Sequence, residues 1–107
     1  MRTKLRAATK TDAPFGLAVE EACMRNYAMA LWGAWRPSAT LENWDPAGQE
    51  VVTEDGHAIG LVATGLEEGF QRIKKLYLAP EHQNQGLGRE VLDVICQRGF
   101  DQGLEVR

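Results

Sequence analysis

The sequence has no apolar run long enough to cross a bilayer, no excess of basic residues, and few cysteines or histidines. Its basic N-terminus is not followed by the continuous apolar segment that a signal peptide requires, so we expect a cytoplasmic protein. Lysine and arginine together number 12 against 15 aspartates and glutamates, which gives a net charge of -3. That balance argues against a surface built to neutralise nucleic-acid phosphate. Neither a membrane nor a nucleic acid is an expected partner.

Cysteine and histidine are scarce, with two residues of each. Cys23 and Cys96 lie in segments with helical spacing, without a CxxC pattern or a neighbouring histidine, and we interpret them as small buried hydrophobic residues. His57 and His82 are also isolated and fit a turn and a loop. The sequence therefore predicts no metal site.

What remains is the composition of an ordinary globular domain. Hydrophobic residues make up 44% of the 107 positions and charged residues 25%, which sets the chain apart from disordered, collagen-like and membrane proteins. A chain of this length suits one domain rather than two. We therefore expect a single domain over residues 1–107, built around one core.

The first half of the chain predicts a short strand followed by a helical segment. Alternation over Leu5–Thr9 is typical of a strand, and Thr11 and Asp12 offer a helix N-cap. Apolar residues then recur at helical spacing over Phe15–Leu31, as one helix or as two with a bend, and Gly33 weakens the helix at its end. The predicted buried stripe contains Phe15, Val19, Ala22, Cys23, Tyr27, Ala30 and Leu31, opposite Glu20, Glu21 and Arg25.

The second half changes to the period of strands. Glu50–Glu54 and His57–Thr64 flank Asp55-Gly56, the strongest short signal for a hairpin. A turn over Gly65–Gly69 leads to a third strand, Phe70–Leu78. These elements predict an α+β fold with an antiparallel meander in a mixed sheet, flanked by helices. Helical spacing returns at Gly88, Val91, Leu92, Ile95, Cys96 and Gly99, and Leu104–Arg107 begins another strand.

The segment Gln83-Asn84-Gln85-Gly86-Leu87-Gly88-Arg89 is the most informative part of the sequence. It joins a polar turn to the start of an amphipathic helix. The first N–H groups of a helix have no intrahelical partner, and the helix dipole favours negative charge there. Gly86 and Gly88 let an anion approach the backbone, and Arg89 adds a positive charge. The pattern predicts a phosphate cradle, with a purely structural turn as the alternative.

Two other phosphate-binding loops do not fit this segment. A P-loop requires GxxxxGK[ST], and neither that spacing nor the Lys-Ser/Thr pair is present. A dinucleotide-binding fingerprint requires a third small residue where Val91 stands. It also requires a parallel βαβ unit, whereas the strands here predict an antiparallel meander. Both alternatives are excluded.

The run Gln83-Asn84-Gln85-Gly86-Leu87-Gly88 resembles the Q/R-x-x-G-x-G/A signature of the GNAT N-acetyltransferase family. The strand and turn before it, Leu76–His82, resemble those that lead into the signature in that family. The order of elements is also similar over essentially the whole chain: strand, helical segment, antiparallel meander, signature and helix. A weaker likeness links Met24–Tyr27 and Trp32-Gly33 to the acceptor side of one subgroup.

The resemblance implies acetyl-CoA as co-substrate. In this family the backbone amides of the signature turn hold the pyrophosphate of coenzyme A. The pantetheine arm lies along the preceding strand, as a peptide adds to a sheet edge. The implied reaction is direct attack of a bound primary amine on the thioester carbonyl. The corresponding residues here are Leu76, Tyr77 and Leu78 in the strand, and Gln83, Gln85, Gly86, Leu87, Gly88 and Arg89 in the turn.

For the acceptor amine, the candidate residues are Arg25, Trp32 and Trp35, although tryptophans are equally typical of a core or an interface. No sequence feature distinguishes a small-molecule acceptor from a peptide. Catalytic residues are not assigned, because the carboxylates that are candidate bases are more typical of solvated helix faces and turns. These carboxylates are Glu20, Glu21, Glu67 and Glu68.

The family's pattern continues past the strand that begins at Leu104. It includes a further helix, which carries an Asn and often a Tyr that protonates the departing thiolate, and a final hairpin. We therefore expect a domain that lacks the C-terminal strands and helix of the family fold, with a sheet edge that promotes homo-oligomers. Three functions remain open: an N-acetyltransferase, a coenzyme-A-binding module without turnover, and a fragment completed by another chain.

Overall fold

The computed structural model describes residues 2–107. Five strands form one sheet whose spatial order is the order of the sequence. The first four pair antiparallel, and the fifth is parallel to the fourth. This mixed sheet with two helices confirms the predicted α+β fold. The strands are β1 (Thr3–Ala7), β2 (Gln49–Glu54), β3 (His57–Glu67), β4 (Phe70–Leu78) and β5 (Glu105–Val106), and the helices are α1 (Ala13–Trp32) and α2 (Leu87–Asp101).

Helix α1 is a single helix, which settles the choice between one helix and two. Pro14 lies in its first turn, where a missing N–H breaks no helical hydrogen bond. The helix ends at Gly33, whose φ of 71° is left-handed and whose N–H donates to Met29 O at 3.0 Å. Neither α1 nor α2 is long and apolar enough to span a membrane.

The buried face of α1 differs from the predicted stripe. Val19 is buried as predicted, but Tyr27 and Leu31 are 56% and 55% exposed, and Ala22 and Ala30 are exposed too. Glu20, predicted on the solvated face, is only 6% exposed. The second half of α1 is apolar around most of its circumference, so spacing alone did not identify the face that meets the sheet.

Two tight turns connect the meander. Asp55 and Gly56 have φ of 51° and 79°, the left-handed pair that a two-residue hairpin requires, which confirms that prediction. The second turn consists of Glu68 and Gly69 alone, because β3 extends to Glu67. The predicted turn over Gly65–Gly69 was therefore too long. Gly65 lies inside β3, next to the Lys74 side chain. A Cβ on Gly65 would lie only 2.8 Å from Lys74 Cε.

The sheet carries one helix on each face. Val51, Leu61 and Tyr77 face α1, whereas their strand neighbours Val52 and Val62 face α2. This alternation is the strand period of two and divides the interior into two layers. Helix α2 buries a narrow row: Leu87, Val91, Ile95 and Gly99.

The predicted face of α2 was too wide. Leu92 is 38% exposed, and Cys96 is exposed, because both lie outside the row spaced by four residues that faces the sheet. The interpretation of both cysteines as buried was therefore wrong for Cys96, and Cys23 is only partly buried.

Strand β5 confirms the predicted start of a strand near Leu104, and it covers only part of β4. It pairs with Phe70 and Gln71, and Ile73 N–H donates to Arg107 O at 2.9 Å. Within residues 2–107, the remainder of β4 has no strand partner on that side. This leaves an open sheet edge over Lys74–Leu78.

Candidate functional site

The open edge of β4, the start of α2 and the middle of α1 enclose a cleft of about 370 Å³. The cleft thus brings together the predicted strand residues and part of the signature turn, and it adds two residues of α1 that the sequence did not assign to the cofactor. Its lining consists of Leu76, Tyr77 and Leu78, of Gln83 and Gly88, and of Cys23 and Met24.

The backbone of β4 faces the cleft at alternate residues. Ala79 donates its N–H to Ile59 O of β3 at 2.8 Å. Since backbone groups alternate in direction along a strand, those of Tyr77 also point toward β3, and those of Leu76 and Leu78 point into the cleft. Leu78 O accepts there from Cys23 Sγ at 3.1 Å and from Gln83 Nε2 at 2.9 Å. Tyr77 therefore contributes its side chain rather than its backbone.

A β-bulge separates this open edge from β5. Thr64 pairs with Ile73 and Ala63 with Lys75, so Lys74 is an extra residue in β4. A bulge bends its strand and reverses which residues point outward. Because of the bulge, the backbone N–H and C=O of Leu76, rather than those of Lys75, point toward the cleft.

The signature turn has the geometry of an anion site. Gly86 has a φ of 80°, and the helical hydrogen bonds of α2 begin with Glu90 N–H to Gly86 O at 3.2 Å. The N–H groups of Leu87, Gly88 and Arg89 come before that hydrogen bond in the chain and so have no partner within the helix. A Cβ on Gly86 would meet nothing within 4 Å, and one on Gly88 only Leu78 Cδ1 at 3.7 Å. Open space therefore lies where a side chain would stand at either glycine.

Two glutamines of the turn make specific contacts. Gln83 N–H donates to Pro80 O at 3.3 Å and points back into the preceding turn, so the free N–H groups begin after it. Gln85 Oε1 accepts from the Arg2 guanidinium at 3.1 Å, and Arg2 is also paired with Glu54. Arg2 and Glu54 thus form an ion pair beside the turn, a position that the sequence neighbourhood of Arg2 did not indicate.

Glu20 lies on the α1 side of β4, and the expectation of a solvated residue was wrong. Its carboxylate accepts hydrogen bonds from Ser38 N–H, from the Ser38 hydroxyl and from Lys75 Nζ, each at 3.0 Å. Burial raises the pKa of Glu20, but these donors outweigh burial and hold the pKa below its ordinary value. A carboxylate engaged in this way is a structural anchor rather than a free base.

Two side chains in the cleft remain protonated near neutral pH. Burial raises the pKa of the Cys23 thiol, and its contacts with Leu78 and Gln83 offset this only in part. Burial also raises the pKa of Tyr77, and the negative charge of Glu20 adds to the effect. Both side chains are therefore hydrogen-bond donors in the cleft.

The other predicted polar residues lie apart from the cleft. Glu21 forms an ion pair with Arg25 at 2.9 Å, and Glu67 forms one with Arg72 at 3.1 Å, all at the surface. Glu68 occupies the second hairpin turn. Among the described residues, no three potential ligands gather as a metal site.

A second pocket, of about 290 Å³, lies at the C-terminal end of α1. Trp32 and Trp35, both predicted for the acceptor, line it together, whereas Arg25 does not. Met24 lines this pocket and the cofactor cleft, so the two are adjacent. The remaining lining residues are Ala28, Ala34 and Arg36.

Solved acetyltransferase structures share this fold. N-acetylglutamate synthase from Neisseria gonorrhoeae, complexed with coenzyme A and N-acetyl-glutamate, superposes with a TM-score of 0.67 at 23% identity, over 95% of this chain and 23% of that one. The PaiA N-acetyltransferase from Thermoplasma acidophilum, in complex with coenzyme A, has a TM-score of 0.68 at 17% identity, over 97% and 76%. The ribosomal-protein-S18-alanine N-acetyltransferase from Escherichia coli has a TM-score of 0.63 at 16% identity, over 95% and 62%.

These likenesses establish the fold, and the chain spans only 23% of the length of the synthase. No protein of curated function matches the sequence. The profile of the acetyltransferase (GNAT) family matches residues 17–107, which include most of α1, the meander, the signature turn and α2. With most of its length matched by that profile and its fold shared with those enzymes, the chain belongs to the GNAT acetyltransferase family.

Proposed function

We propose that this chain binds acetyl-CoA in the cleft between β4 and α2 and transfers the acetyl group to a primary amine. The observation that carries the proposal is that two sets of backbone groups face the same cleft. The N–H and C=O of Leu76 and the N–H of Leu78 offer partners for the amides of an extended arm, and Leu87–Arg89 offers N–H groups for a pyrophosphate. Acetyl-CoA carries both features in one molecule.

The anion end of the cleft is formed by α2. The N–H groups of Leu87, Gly88 and Arg89 and the dipole of a 15-residue helix favour negative charge there. Arg89 adds a positive charge in the first turn of α2, whereas the charge of Arg2 is compensated by Glu54. The turn N–H groups bind phosphate, and Arg89 favours its approach.

The thioester end is formed by β4 and α1. When bound, the co-substrate would supply a thioester: the amine nitrogen would bond to its carbonyl carbon, the C–S bond would break, and coenzyme A would leave as the thiol with the proton that the amine gives up. An N–H of Leu76 or Leu78 polarises the carbonyl oxygen, and Cys23 and Met24 form the facing wall. These groups orient the thioester for attack. We assign no general base, since Glu20 is bound to Ser38 and Lys75.

We place the acceptor beside this wall, in the pocket of Trp32 and Trp35. That pocket is adjacent to the cleft through Met24. Arg25 is left out of the proposal because it pairs with Glu21 away from both spaces.

Calorimetric titration tests binding of the co-substrate. The turn recognises the pyrophosphate rather than the acyl group, so CoA and acetyl-CoA should bind within about tenfold of each other. Pantetheine, which lacks the pyrophosphate, should bind much more weakly. Ligand at 100 times its dissociation constant should stabilise the fold by about 2.7 kcal/mol. The proposal is wrong if millimolar CoA produces neither heat nor a shift in melting temperature.

Substitutions at Gly88 separate binding from stability. Gly88→Ala and Gly88→Val place a side chain over the anion site, and their Cβ makes only ordinary contact with Leu78. The valine variant should lose about tenfold or more in CoA affinity. The alanine variant should be as stable as the parent or more stable, because alanine favours helix over glycine by up to about 1 kcal/mol.

Cys96→Val is the matched control, because it adds a branched residue to the exposed side of the same helix. Its CoA affinity should not change. An unchanged affinity in Gly88→Val would place the ligand elsewhere. Release of free thiol from acetyl-CoA with a panel of amines then distinguishes an acetyltransferase from a module that binds CoA without turnover.

A further inference from the structure

The pocket at the end of α1 has a composition that acetyl transfer alone does not explain. Its walls are two indoles, one thioether and two alanine methyl groups, and the only charged residue that lines it is Arg36. Ala28, at 4% exposure, forms its floor, Trp35 is partly buried, and Trp32, at 70% exposure, forms its outer wall. The pocket is therefore apolar with a single cation.

The segment that forms one wall of the pocket is fixed by contacts before and after it in the sequence. Gly33 ends α1 in a left-handed conformation and turns the chain back beside the last helical turns. Five residues later, Ser38 is bound to the buried Glu20 through both its N–H and its Oγ, and Lys75 of β4 joins the same carboxylate. The segment that carries Trp35 and Arg36 is thus anchored at both ends.

Arg36 has no counter-charge in this setting. Within residues 2–107 it forms no ion pair, and no acidic side chain lines the pocket. A guanidinium beside apolar walls favours a carboxylate, which it binds through two parallel hydrogen bonds. It disfavours a second cation by like-charge repulsion. The pocket therefore selects by charge as well as by shape.

We infer that this pocket takes a compact amine with an apolar, preferably aromatic, body and a carboxylate group, and that such a molecule is the acceptor. The inference rests on the proposed function, since it assigns the acceptor of the same site. A volume near 290 Å³ lies just below the usual range for ligand pockets, about 300 to about 1,000 Å³, and it suits a single small molecule rather than a polypeptide segment. Polyamines and other polycationic amines find no partner there.

Three small amines test this assignment directly. L-phenylalanine has the ring, the amine and the carboxylate, 2-phenylethylamine lacks only the carboxylate, and spermidine is a polycation. Binding of each to the 107-residue chain is measured by calorimetry and by quenching of tryptophan fluorescence, with and without saturating CoA. Phenylalanine should bind about tenfold or more tightly than 2-phenylethylamine, and spermidine should bind most weakly.

Substitution of Arg36 identifies the source of that preference. Arg36→Gln should abolish the advantage of phenylalanine over 2-phenylethylamine, and Arg36→Lys should retain part of it. Arg25→Gln is the matched control, since Arg25 is an exposed arginine of α1 that pairs only with Glu21. It should leave the preference unchanged.

The outcomes distinguish this inference from the proposed function. Spermidine binding as tightly as phenylalanine, or an unchanged preference in Arg36→Gln, overturns the acceptor assignment while CoA binding stands. Tighter binding of tetra-alanine, titrated in the same way, than of phenylalanine would also overturn it, in favour of a peptide acceptor. If CoA fails to bind in its own titration, the proposed function fails and the acceptor role fails with it.

Discussion

At the scale of single residues, two carboxylates tie α1 to the rest of the molecule. Asp12 accepts two hydrogen bonds from the Arg6 guanidinium, at 2.8 and 2.9 Å, and one from Thr9 N–H at 2.8 Å. The Glu20 carboxylate likewise accepts hydrogen bonds from Ser38 N–H and from Lys75 Nζ. The Arg6 guanidinium, with smaller contributions from Thr9, lowers the pKa of Asp12 to about 2. Both carboxylates therefore stabilise the fold in their ionised form.

The Asp12 pair predicts a specific pH dependence of stability. Because the pKa is lower in the folded chain than in the unfolded chain, ionised Asp12 contributes stability above pH of about 4 that disappears as the pH falls toward 2. Asp12→Asn should lower the free energy of unfolding by about 1–2 kcal/mol at pH 7, less than the full shift because Arg6 is half exposed. Urea denaturation of both proteins at several pH values measures the difference.

The loss should shrink as the pH falls and vanish near the folded-state pKa of Asp12, about 2. Asp93→Asn provides the control, since Asp93 is an exposed carboxylate of α2 whose removal should have little effect at any pH. A loss in Asp12→Asn that is the same at pH 7 and pH 3 would show that Arg6 is not its cause.

At the scale of elements, α1 meets the loop that follows it at a point with no room for a side chain. A Cβ on Gly16 would lie 2.7 Å from Trp44 Cζ2 and 3.0 Å from Cε2. Trp44 is 4% exposed, its backbone N–H donates to Thr40 O at 2.9 Å, and its backbone carbonyl accepts from Lys10 Nζ at 2.6 Å. Burial of the indole and anchoring of its backbone restrict its movement, and the glycine sets how closely the helix approaches it.

Gly16→Ala should lower the stability although alanine favours helix. The expected loss from overpacking is about 1–3 kcal/mol, against a gain of up to about 1 kcal/mol in helix propensity. Ala18→Gly, on the exposed side of the same helix, measures the propensity term alone and should lose up to about 1 kcal/mol. Urea denaturation compares the variants, and a stabilised Gly16→Ala would mean that the indole moves to make room.

At the scale of the whole molecule, the open edge of β4 governs how copies of the chain interact. Lysines on an edge usually oppose strand pairing between molecules. Here Lys75 turns to Glu20, and Lys74 lies along Gly65 of the neighbouring strand. Neither ammonium group therefore stands in front of Leu76–Leu78, and the edge is open to a partner strand.

We predict that the 107-residue chain self-associates through this edge. Size-exclusion chromatography with light scattering should show dimers or larger species at micromolar concentration. Saturating CoA should shift the distribution toward monomer, because it would occupy the same backbone groups. A monodisperse monomer over the whole micromolar range would show that the edge is protected. If CoA does not affect the association, the contact between copies lies on another surface.

Local chemistry was sufficient to predict the order of the elements, the first hairpin turn and the position of the signature turn. Each depends on residues a few positions apart: the left-handed Asp55-Gly56 pair, the helical spacing of α2, and the glycines ahead of it. Such preferences depend on residues that are close in the sequence, so they can be predicted without knowledge of the fold. The family resemblance of the signature turn added the co-substrate.

Only the tertiary structure decided which residues share the site. Glu20 and Lys75 are 55 positions apart, as are Cys23 and Leu78, and no local pattern predicts either contact. The buried face of α1, the bulge at Lys74 and the place of Arg36 beside two indoles likewise depend on how the helix and its loop lie against the sheet. Sequence periodicity states which side chains can be buried, whereas packing between distant segments selects those that are.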